Sequence, residues 1–252
     1  MASKLKGNLY IGTSGIVVPG SKQTFPEAFK NTSRLHYYAT LFNTLEVNSS
    51  FYKVPFPTTF EKWALDVPNE FQFTVKLWRD ITHAKNLDFD LENIDHFMHA
   101  LSLMTHKKGC LLIQFPASIN FTYIKKVEEI LQRVHKLDPD QTWRRALEFR
   151  HSSWYNEETY YLLDKYQASI VLHDMPKSHT EMLNKKADFV YLRFHGIKGD
   201  YKDSYSDDLL KKYAGKILGW LEQGKNVYAY FNNTMGDAFS NARTLRQYIQ
   251  ED

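Results

Sequence analysis

The chain contains a single cysteine, and this scarcity excludes several classes of protein. Of its 252 residues only Cys110 is a cysteine, so no intrachain disulfide can form and no Cys-x-x-Cys pair can hold zinc. Cys110 begins an apolar run, which indicates a small buried side chain rather than a nucleophile. The lack of disulfides is typical of a reducing compartment, and we expect the protein in the cytoplasm.

Long apolar runs and a strong excess of one charge are also missing. No run approaches the roughly 20 apolar residues of a membrane helix, and residues 1–7 lack the apolar core of a signal peptide, so we expect no membrane partner. Lys and Arg total 32 against 29 Asp and Glu, a net charge of +3, which does not demand a nucleic-acid partner. The sequence has neither a Walker-type nucleotide motif nor the Gly-x-Ser-x-Gly elbow of hydrolases.

Strand and helix patterns alternate from one end of the chain to the other. Apolar segments predict eight strands, near residues 9–12, 45–48, 72–76, 110–115, 146–149, 169–172, 189–194 and 227–231. Helical patterns lie between them, including a weak one near residues 180–185. Eight such units predict a (β/α)8 TIM-like barrel, with residues 1–252 as a single domain. A doubly wound open sheet is the alternative, but no glycine-rich fingerprint follows the first strand.

Polar residues collect at the carboxyl ends of the predicted strands. One parity of each strand stays apolar, as expected for the face that packs against helices, while the other turns polar. In such barrels the carboxyl ends of the strands form the mouth that holds the active site. Parity predicts these inward-facing side chains: Glu46, Asn48, Thr74, Lys76, Gln114, Glu148, Arg150, Arg193, His195, Tyr230 and Asn232. The sixth strand is apolar at both parities, so it leaves the facing of His173 and Asp174 open.

The predicted mouth mixes cations with carboxylates. An isolated buried charge is costly, so these groups must pair, bind a ligand or contact water. A dedicated Mg²⁺ or Mn²⁺ site presents an excess of oxygen ligands, whereas this set includes Lys76, Arg150 and Arg193. We therefore predict no metal site, and instead an anionic group such as phosphate or carboxylate held by the cations. An ionic network that only stiffens the barrel is the alternative.

Roles can be assigned within this set. We predict Glu148 as the catalytic acid or base, with Glu46 or Asp174 as the second carboxylate and His195 as a proton shuttle. Asn48, Gln114 and Asn232 would orient the substrate. Lys76 could also form a Schiff base, although nearby carboxylates favour its charged form. Further candidate contacts lie in the segments that follow the strands: Tyr52, His83, Trp154, Tyr201, Tyr205 and Asn233.

Several motifs follow one another over nearly the whole chain. They are Ile11-Gly12-Thr13-Ser14-Gly15, residues 42–52, Ile81-Thr82-His83, residues 148–154, Tyr191-Leu192-Arg193-Phe194-His195-Gly196 and Tyr230-Phe231-Asn232-Asn233. In these stretches the chain resembles the YecE-like family, domain of unknown function seventy-two. The resemblance implies a TIM-like barrel but supplies no reaction. The chain departs from the family at Ile16-Val17-Val18, where an aromatic residue is usual, and at Phe115-Pro116-Ala117, where paired prolines are usual.

Three functions remain open from the residues. The first is an acid/base enzyme of hydrolase type, acting on a small anionic ligand that bears a phosphate or a sugar. The second is a protein that binds or processes nucleic acid, for which Lys198, Lys202, Lys211 and Lys212 offer scattered charge. The third is a metabolite sensor without catalysis. No residue pattern points to a cofactor or to an oligomeric state.

Overall fold

Eight parallel strands form a nearly closed barrel in the computed structural model, which describes residues 6–251. The strands are β1 (Leu9–Thr13), β2 (Thr44–Val47), β3 (Gln72–Lys76), β4 (Lys108–Phe115), β5 (Arg144–Phe149), β6 (Ala168–His173), β7 (Phe189–Phe194) and β8 (Asn226–Phe231). They pair in chain order, and β8 pairs with β1. Between β1 and β2 a bridge joins Ser14 to Glu46. The predicted (β/α)8 TIM-like barrel is confirmed.

Helices cover the outside of the barrel. They are α1 (Arg34–Leu41), α2 (Ser49–Tyr52), α3 (Pro57–Leu65), α4 (Arg79–Thr82), α5 (Leu91–Ala100), α6 (Ile124–Leu137), α7 (Glu157–Lys165), α8 (Asp207–Glu222) and α9 (Ala238–Glu251). On α6 the buried residues Val127, Ile130, Leu131 and Val134 form one apolar stripe, which is the spacing that fixes a helix against a sheet. No helix among the described residues has both the length and the apolar character needed to cross a membrane.

The connection between β6 and β7 differs from the expectation. The helix predicted near residues 180–185 is wrong, because residues 174–188 contain no helix. Asn184 holds this segment against β6: its Oδ1 accepts from Ile170 N at 3.1 Å and its Nδ2 donates to Ala168 O at 2.9 Å. The missing helix leaves a groove of about 660 Å³ between β6, β7 and α8.

Strand parity is as the sequence indicates. Outward residues such as Leu147 and Leu192 join the large core under the helices, while a second buried cluster inside the barrel includes Cys110, Val171 and a group of tyrosines. We call Tyr10, Tyr191, Tyr228 and Tyr230 the tyrosine layer. Because Val171 points inward, His173 two residues later on β6 also points inward. The barrel interior is therefore filled below the mouth.

Candidate functional site

Arg193, at the end of β7, joins two buried carboxylates above the tyrosine layer. Its Nε donates to Glu46 Oε2 at 2.9 Å and its Nη2 to Glu46 Oε1 at 2.7 Å, while Nη1 donates to Glu148 Oε2 at 2.6 Å. The guanidinium is 1% exposed and both carboxylates are 0% exposed. Strands β2, β5 and β7 thus bring together three residues that parity placed at the mouth, and the group is a buried, hydrogen-bonded ion network.

Both carboxylates in this network are held in the ionised form. Burial alone would raise the pKa of Glu46, but Arg193 and hydrogen bonds from Ser14 and Tyr191 outweigh it and lower the pKa. Burial is likewise outweighed at Glu148, where Arg150 and Arg193 hold the pKa well below its usual range. Glu46 and Glu148 therefore do not form a carboxylate pair with oppositely shifted pKa values. Glu148 is a carboxylate at neutral pH and has no proton to give as a general acid.

Arg150 and His195 form a second link at the end of β5 and β7. Arg150 Nε donates to Glu148 Oε1, and Nη2 lies 2.9 Å from His195 Nε2. Since a guanidinium only donates, His195 Nε2 is the acceptor and the imidazole proton lies on Nδ1, 3.3 Å from Asp174 Oδ1. Burial lowers the pKa of His195. The ring is therefore neutral, and Arg150 and Asp174 already occupy both of its nitrogens.

Asp174 and Tyr205 lie behind the mouth and support it. Tyr205 Oη donates to Asp174 Oδ2 and accepts from Gly196 N at 2.6 Å, while Asp174 Oδ1 accepts from His195 N at 2.8 Å. Tyr205 is 5% exposed, so the ligand contact expected for it is not seen. Its hydroxyl fixes Asp174, and Asp174 in turn fixes the loop that follows β7.

A cavity of about 170 Å³ opens at the mouth next to Arg193. Its lining residues are Asn48, Phe51, Tyr52, Lys76, Gln114, Arg150, Arg193, Tyr201 and Asn232. The lining side chains are cationic, amide or aromatic, and the carboxylates of Glu46 and Glu148 lie paired behind the arginines. Most of the predicted ligand-contacting residues meet at this cavity, and its charge suits an anion.

Lys76 lines the cavity, and its amine has no counter-ion among the described residues. In the described part of the chain the carboxylates of this cluster pair with Arg150 and Arg193, whereas Lys76 Nζ lies 4.0 Å from the centre of the Phe51 ring. Burial, then repulsion by Arg193, lowers the pKa of Lys76 to about 7. A fraction of the amine is therefore unprotonated near neutral pH, unlike that of an exposed lysine.

Phe51 is a lining residue that the sequence analysis missed. Strand parity applies only as far as Asn48, and Phe51 lies on the single-turn helix α2 that follows. Lys76 Nζ lies 4.0 Å from the centre of the Phe51 ring, and the His83 ring packs nearly perpendicular to it, with 4.8 Å between ring centres. The available signal was its position directly beside Tyr52, which lines the same cavity.

His83 lies in a second layer behind Phe51 and does not line the cavity. Burial and the nearby charge of Lys76 lower its pKa to about 4, so the ring is neutral at physiological pH. Its Nδ1 lies 2.9 Å from Thr82 Oγ1. His83 therefore supports the Phe51 ring rather than contacting a ligand.

The ligand contact expected for Trp154 is contradicted by its packing. Trp154 is 0% exposed, stacks on Phe149 with 4.3 Å between ring centres and donates through Nε1 to Ile119 O at 2.8 Å. The turn at Ser152–Trp154 folds the indole onto the outer, apolar parity of β5. Burial of this large ring stabilises the core instead.

Asn233 is also a structural residue. It is 0% exposed, and its Nδ2 donates to Asp203 O at 2.9 Å and to Asn241 Oδ1 at 3.0 Å. These bonds tie the segment after β8 to the loop before α8 and to helix α9. Asn232, its neighbour, is the residue that reaches the cavity.

Among residues 6–251, no three His, Cys, Asp or Glu side chains are grouped so as to hold a metal ion. The carboxylate oxygens at the mouth already accept from Ser14, Tyr191, Arg150 and Arg193. The metal-free site stays a prediction.

Comparison with known proteins identifies relatives of similar length. The chain is 26% identical over 277 residues to the UPF0759 protein YunF of Bacillus subtilis (strain 168), covering 96% of this chain and 94% of that protein. A crystal structure of a DUF72 family protein from Thermotoga maritima MSB8 is 26% identical, with a TM-score of 0.74 and coverage of 96% and 99%. Another, from Enterococcus faecalis V583, has a TM-score of 0.79 at 20% identity, with coverage of 96% and 95%, and supports the fold alone.

A family model covers nearly the whole chain. The model described as "Protein of unknown function DUF72" matches residues 10–252. This match confirms the resemblance seen in the motifs, from the first glycine motif to the end of β8. The chain belongs to the DUF72 family of proteins of unknown function.

Proposed function

We propose that this protein is an enzyme that binds a small anionic molecule at the barrel mouth and performs acid/base chemistry on it. The observation that carries the proposal is the cavity lined by Lys76, Arg150 and Arg193, with both carboxylates withdrawn behind the arginines. Arg150 uses Nε and Nη2 for Glu148 and His195, so both hydrogens of Nη1 remain for a phosphate or carboxylate oxygen.

The size of the cavity and its uncharged lining residues restrict the class of ligand that can bind. A volume of about 170 Å³ is below the roughly 300–1,000 Å³ of pockets for drug-sized molecules, which favours a small phosphorylated, carboxylated or sugar-bearing metabolite. Asn48 Oδ1 is buried without a hydrogen-bond partner among the described residues. With Gln114 and Asn232, it offers amide groups that orient hydroxyls of a bound ligand.

Lys76 is the acid/base group that the geometry favours. Its neutral amine takes a proton from water or from a substrate hydroxyl, and its ammonium returns the proton to a leaving group. Glu148 acts instead as a positioning residue, since it holds Arg150 and Arg193 in place. Hydrolysis is the first reaction class to test, and the same amine serves other acid/base reactions.

The other hypotheses use different parts of the molecule or lack catalysis. A metabolite sensor would use the same cavity and leave its ligand unchanged. The nucleic-acid hypothesis stays a prediction, and its lysines (Lys198, Lys202, Lys211 and Lys212) are not among the residues that line the cavity. The cytoplasm remains the expected location, because the one cysteine is free and buried.

The proposal is tested by calorimetric titration with inorganic phosphate at low salt, near pH 6.5. We expect saturable binding by the wild type, about tenfold weaker binding by Arg150→Met and unchanged binding by Arg243→Met, a control on the exposed side of α9. Lack of phosphate binding by a folded wild type would contradict the proposed ligand class. Turnover in a panel of phosphoesters and glycosides supports catalysis, while a co-purified ligand that stays intact on incubation favours the sensor.

A further inference from the structure

The amine of Lys76 is placed for covalent chemistry as well as for proton transfer. Resting on the function proposed above, we infer that Lys76 forms an imine with the carbonyl carbon of a small aldehyde or ketone that carries a phosphate or carboxylate group. The inference names the substrate class of the mouth cavity and makes Lys76 the nucleophile.

Access and lack of partners distinguish Lys76 from other buried lysines. Lys76 lines the mouth cavity, and its Nζ lies 4.0 Å from the centre of the Phe51 ring. Lys107, by contrast, is 3% exposed, and its Nζ donates to Val67 O at 3.1 Å and to Pro68 O. A nucleophilic amine needs a free lone pair and room for the attacked carbon, and Lys76 has both.

The charges around Lys76 favour the neutral amine. The groups that act on it are Arg193 from β7, Arg150 and Glu148 from the end of β5, Glu46 from β2 and His83 after α4. Both carboxylates are already paired with arginine, and His83 is neutral because burial lowers its pKa to about 4. Burial and the two guanidinium groups lower the pKa of Lys76 to about 7, as is typical of Schiff-base lysines beside another cation.

Anion binding and imine formation use different cationic residues of the cavity. Arg150 and Arg193 are permanently charged and keep N–H groups for the anionic end of the substrate, so two cations remain for it when Lys76 is neutral. The carbonyl end then faces the amine. A substrate whose carbonyl and anionic group are a few bonds apart fits a cavity of about 170 Å³.

The covalent step balances without a further reactant. The lone pair of Lys76 Nζ attacks the carbonyl carbon, a C–N bond forms, and the C=O π electrons move to oxygen. Transfer of one N–H proton to this oxygen gives the carbinolamine. Loss of the C–O bond then releases water, which carries away the second amine proton, and leaves a C=N bond. Once protonated, the imine is an electron sink that lets an adjacent C–H or C–C bond break.

Reductive trapping tests this inference directly. The protein is incubated with pyruvate or with glycolaldehyde phosphate, treated with sodium cyanoborohydride, and examined by intact mass and by peptide mapping. We expect one adduct per chain on the peptide that contains Lys76, at least tenfold above any other lysine. Lys76→Arg should lose this adduct, whereas Lys53→Arg, a change at an exposed neighbouring lysine, should keep it. The trapping rate should level off above about pH 7, while exposed lysines gain reactivity up to about pH 10.

The outcomes separate this inference from the proposed function. If folded wild type binds phosphate but neither probe marks Lys76 above exposed lysines, the imine is overturned and the anion site stands. If the wild type binds no phosphate, the proposed function fails first. Because peptide mapping of the wild type alone locates the adduct, the test holds even if Lys76→Arg does not fold. Hydrolysis of a phosphoester without any adduct would assign Lys76 to proton transfer only.

Discussion

The barrel interior contains two buried polar layers. They differ in whether their hydrogen-bond donors all have partners. In the tyrosine layer, Tyr230 Oη lies 2.6 Å from Thr44 Oγ1 and 2.7 Å from Thr74 Oγ1, and Tyr228 Oη donates to Gln72 at 2.6 Å. We call the second the charged layer: Glu46, Lys76, Glu148, Arg150 and Arg193. It pairs its carboxylates fully yet leaves donors of the cations facing a cavity. Saturated groups support the fold, and unsaturated donors beside open space indicate a ligand.

Glu46 lies where the two layers meet and belongs with the saturated groups. Its oxygens accept from Ser14 at 2.6 Å, from Tyr191 at 2.6 Å and from two nitrogens of Arg193. The same residue bridges β1 to β2, since Gly15 N donates to Glu46 O at 2.8 Å. A carboxylate with so many partners closes the barrel and has little capacity left for catalysis. The comparison therefore supports the roles proposed for Lys76 and Arg150.

The largest effect should follow from removing the centre of the charged layer. Arg193→Met leaves two buried carboxylates without their shared cation, and we expect a loss of about 3–5 kcal/mol in the free energy of unfolding. Urea denaturation followed by circular dichroism measures it. A loss below about 1 kcal/mol would show that the carboxylates find other partners or take up protons, and the network would then not be the structural centre of the mouth.

A smaller loss is expected from Glu148→Gln, and it should depend on pH. At pH 7 we expect about 2–3 kcal/mol, the worth of hydrogen bonds to a charged group. A carboxyl group whose folded pKa is lowered stabilises the fold above its unfolded pKa, near 4.3, and this contribution is lost as the pH falls below that value. Wild-type stability should therefore decline more steeply than that of the variant between about pH 5 and pH 3. Parallel urea midpoints over this range would contradict the assignment.

A substitution in the tyrosine layer should cost less stability and should leave ligand affinity unchanged. Tyr230→Phe removes one neutral hydroxyl that contacts Thr44 and Thr74, and we expect a loss of about 1–2 kcal/mol. Phosphate affinity should stay within about twofold of the wild type. Calorimetric titration beside the urea series checks both. A large drop in affinity would mean that the two layers are coupled and that saturation does not separate structure from function.

The sequence predicts the barrel and most of the cavity lining because both depend on local periodicity. Apolar alternation determines which side chains enter the barrel, and the chain order of parallel strands brings their carboxyl ends together. The pairing within the mouth depends on distances across the barrel, which periodicity does not contain. Periodicity could not show that Arg193 forms ion pairs with both carboxylates and leaves Lys76 unpaired. Nor could periodicity show that the turn after β5 folds Trp154 outward, or that Asn184 holds a segment without a helix against β6.

Lys76→Met should cause no loss of stability, and a change of opposite sign is expected from it. Because the folded protein lowers the pKa of Lys76 to about 7, the ammonium form opposes folding below that pH. The unfolded chain keeps its proton up to about pH 10.4, so this penalty fades as the pH rises from 7 towards 10. Lys76→Met should therefore unfold at higher urea than the wild type at pH 6, and the difference should shrink by pH 9. Phosphate affinity should fall in the same variant, which no member of the tyrosine layer should reproduce. A variant less stable than the wild type at pH 6 would mean that partners stabilise the ammonium. The distinction between the two layers would then fail at Lys76, on which the proposed function rests.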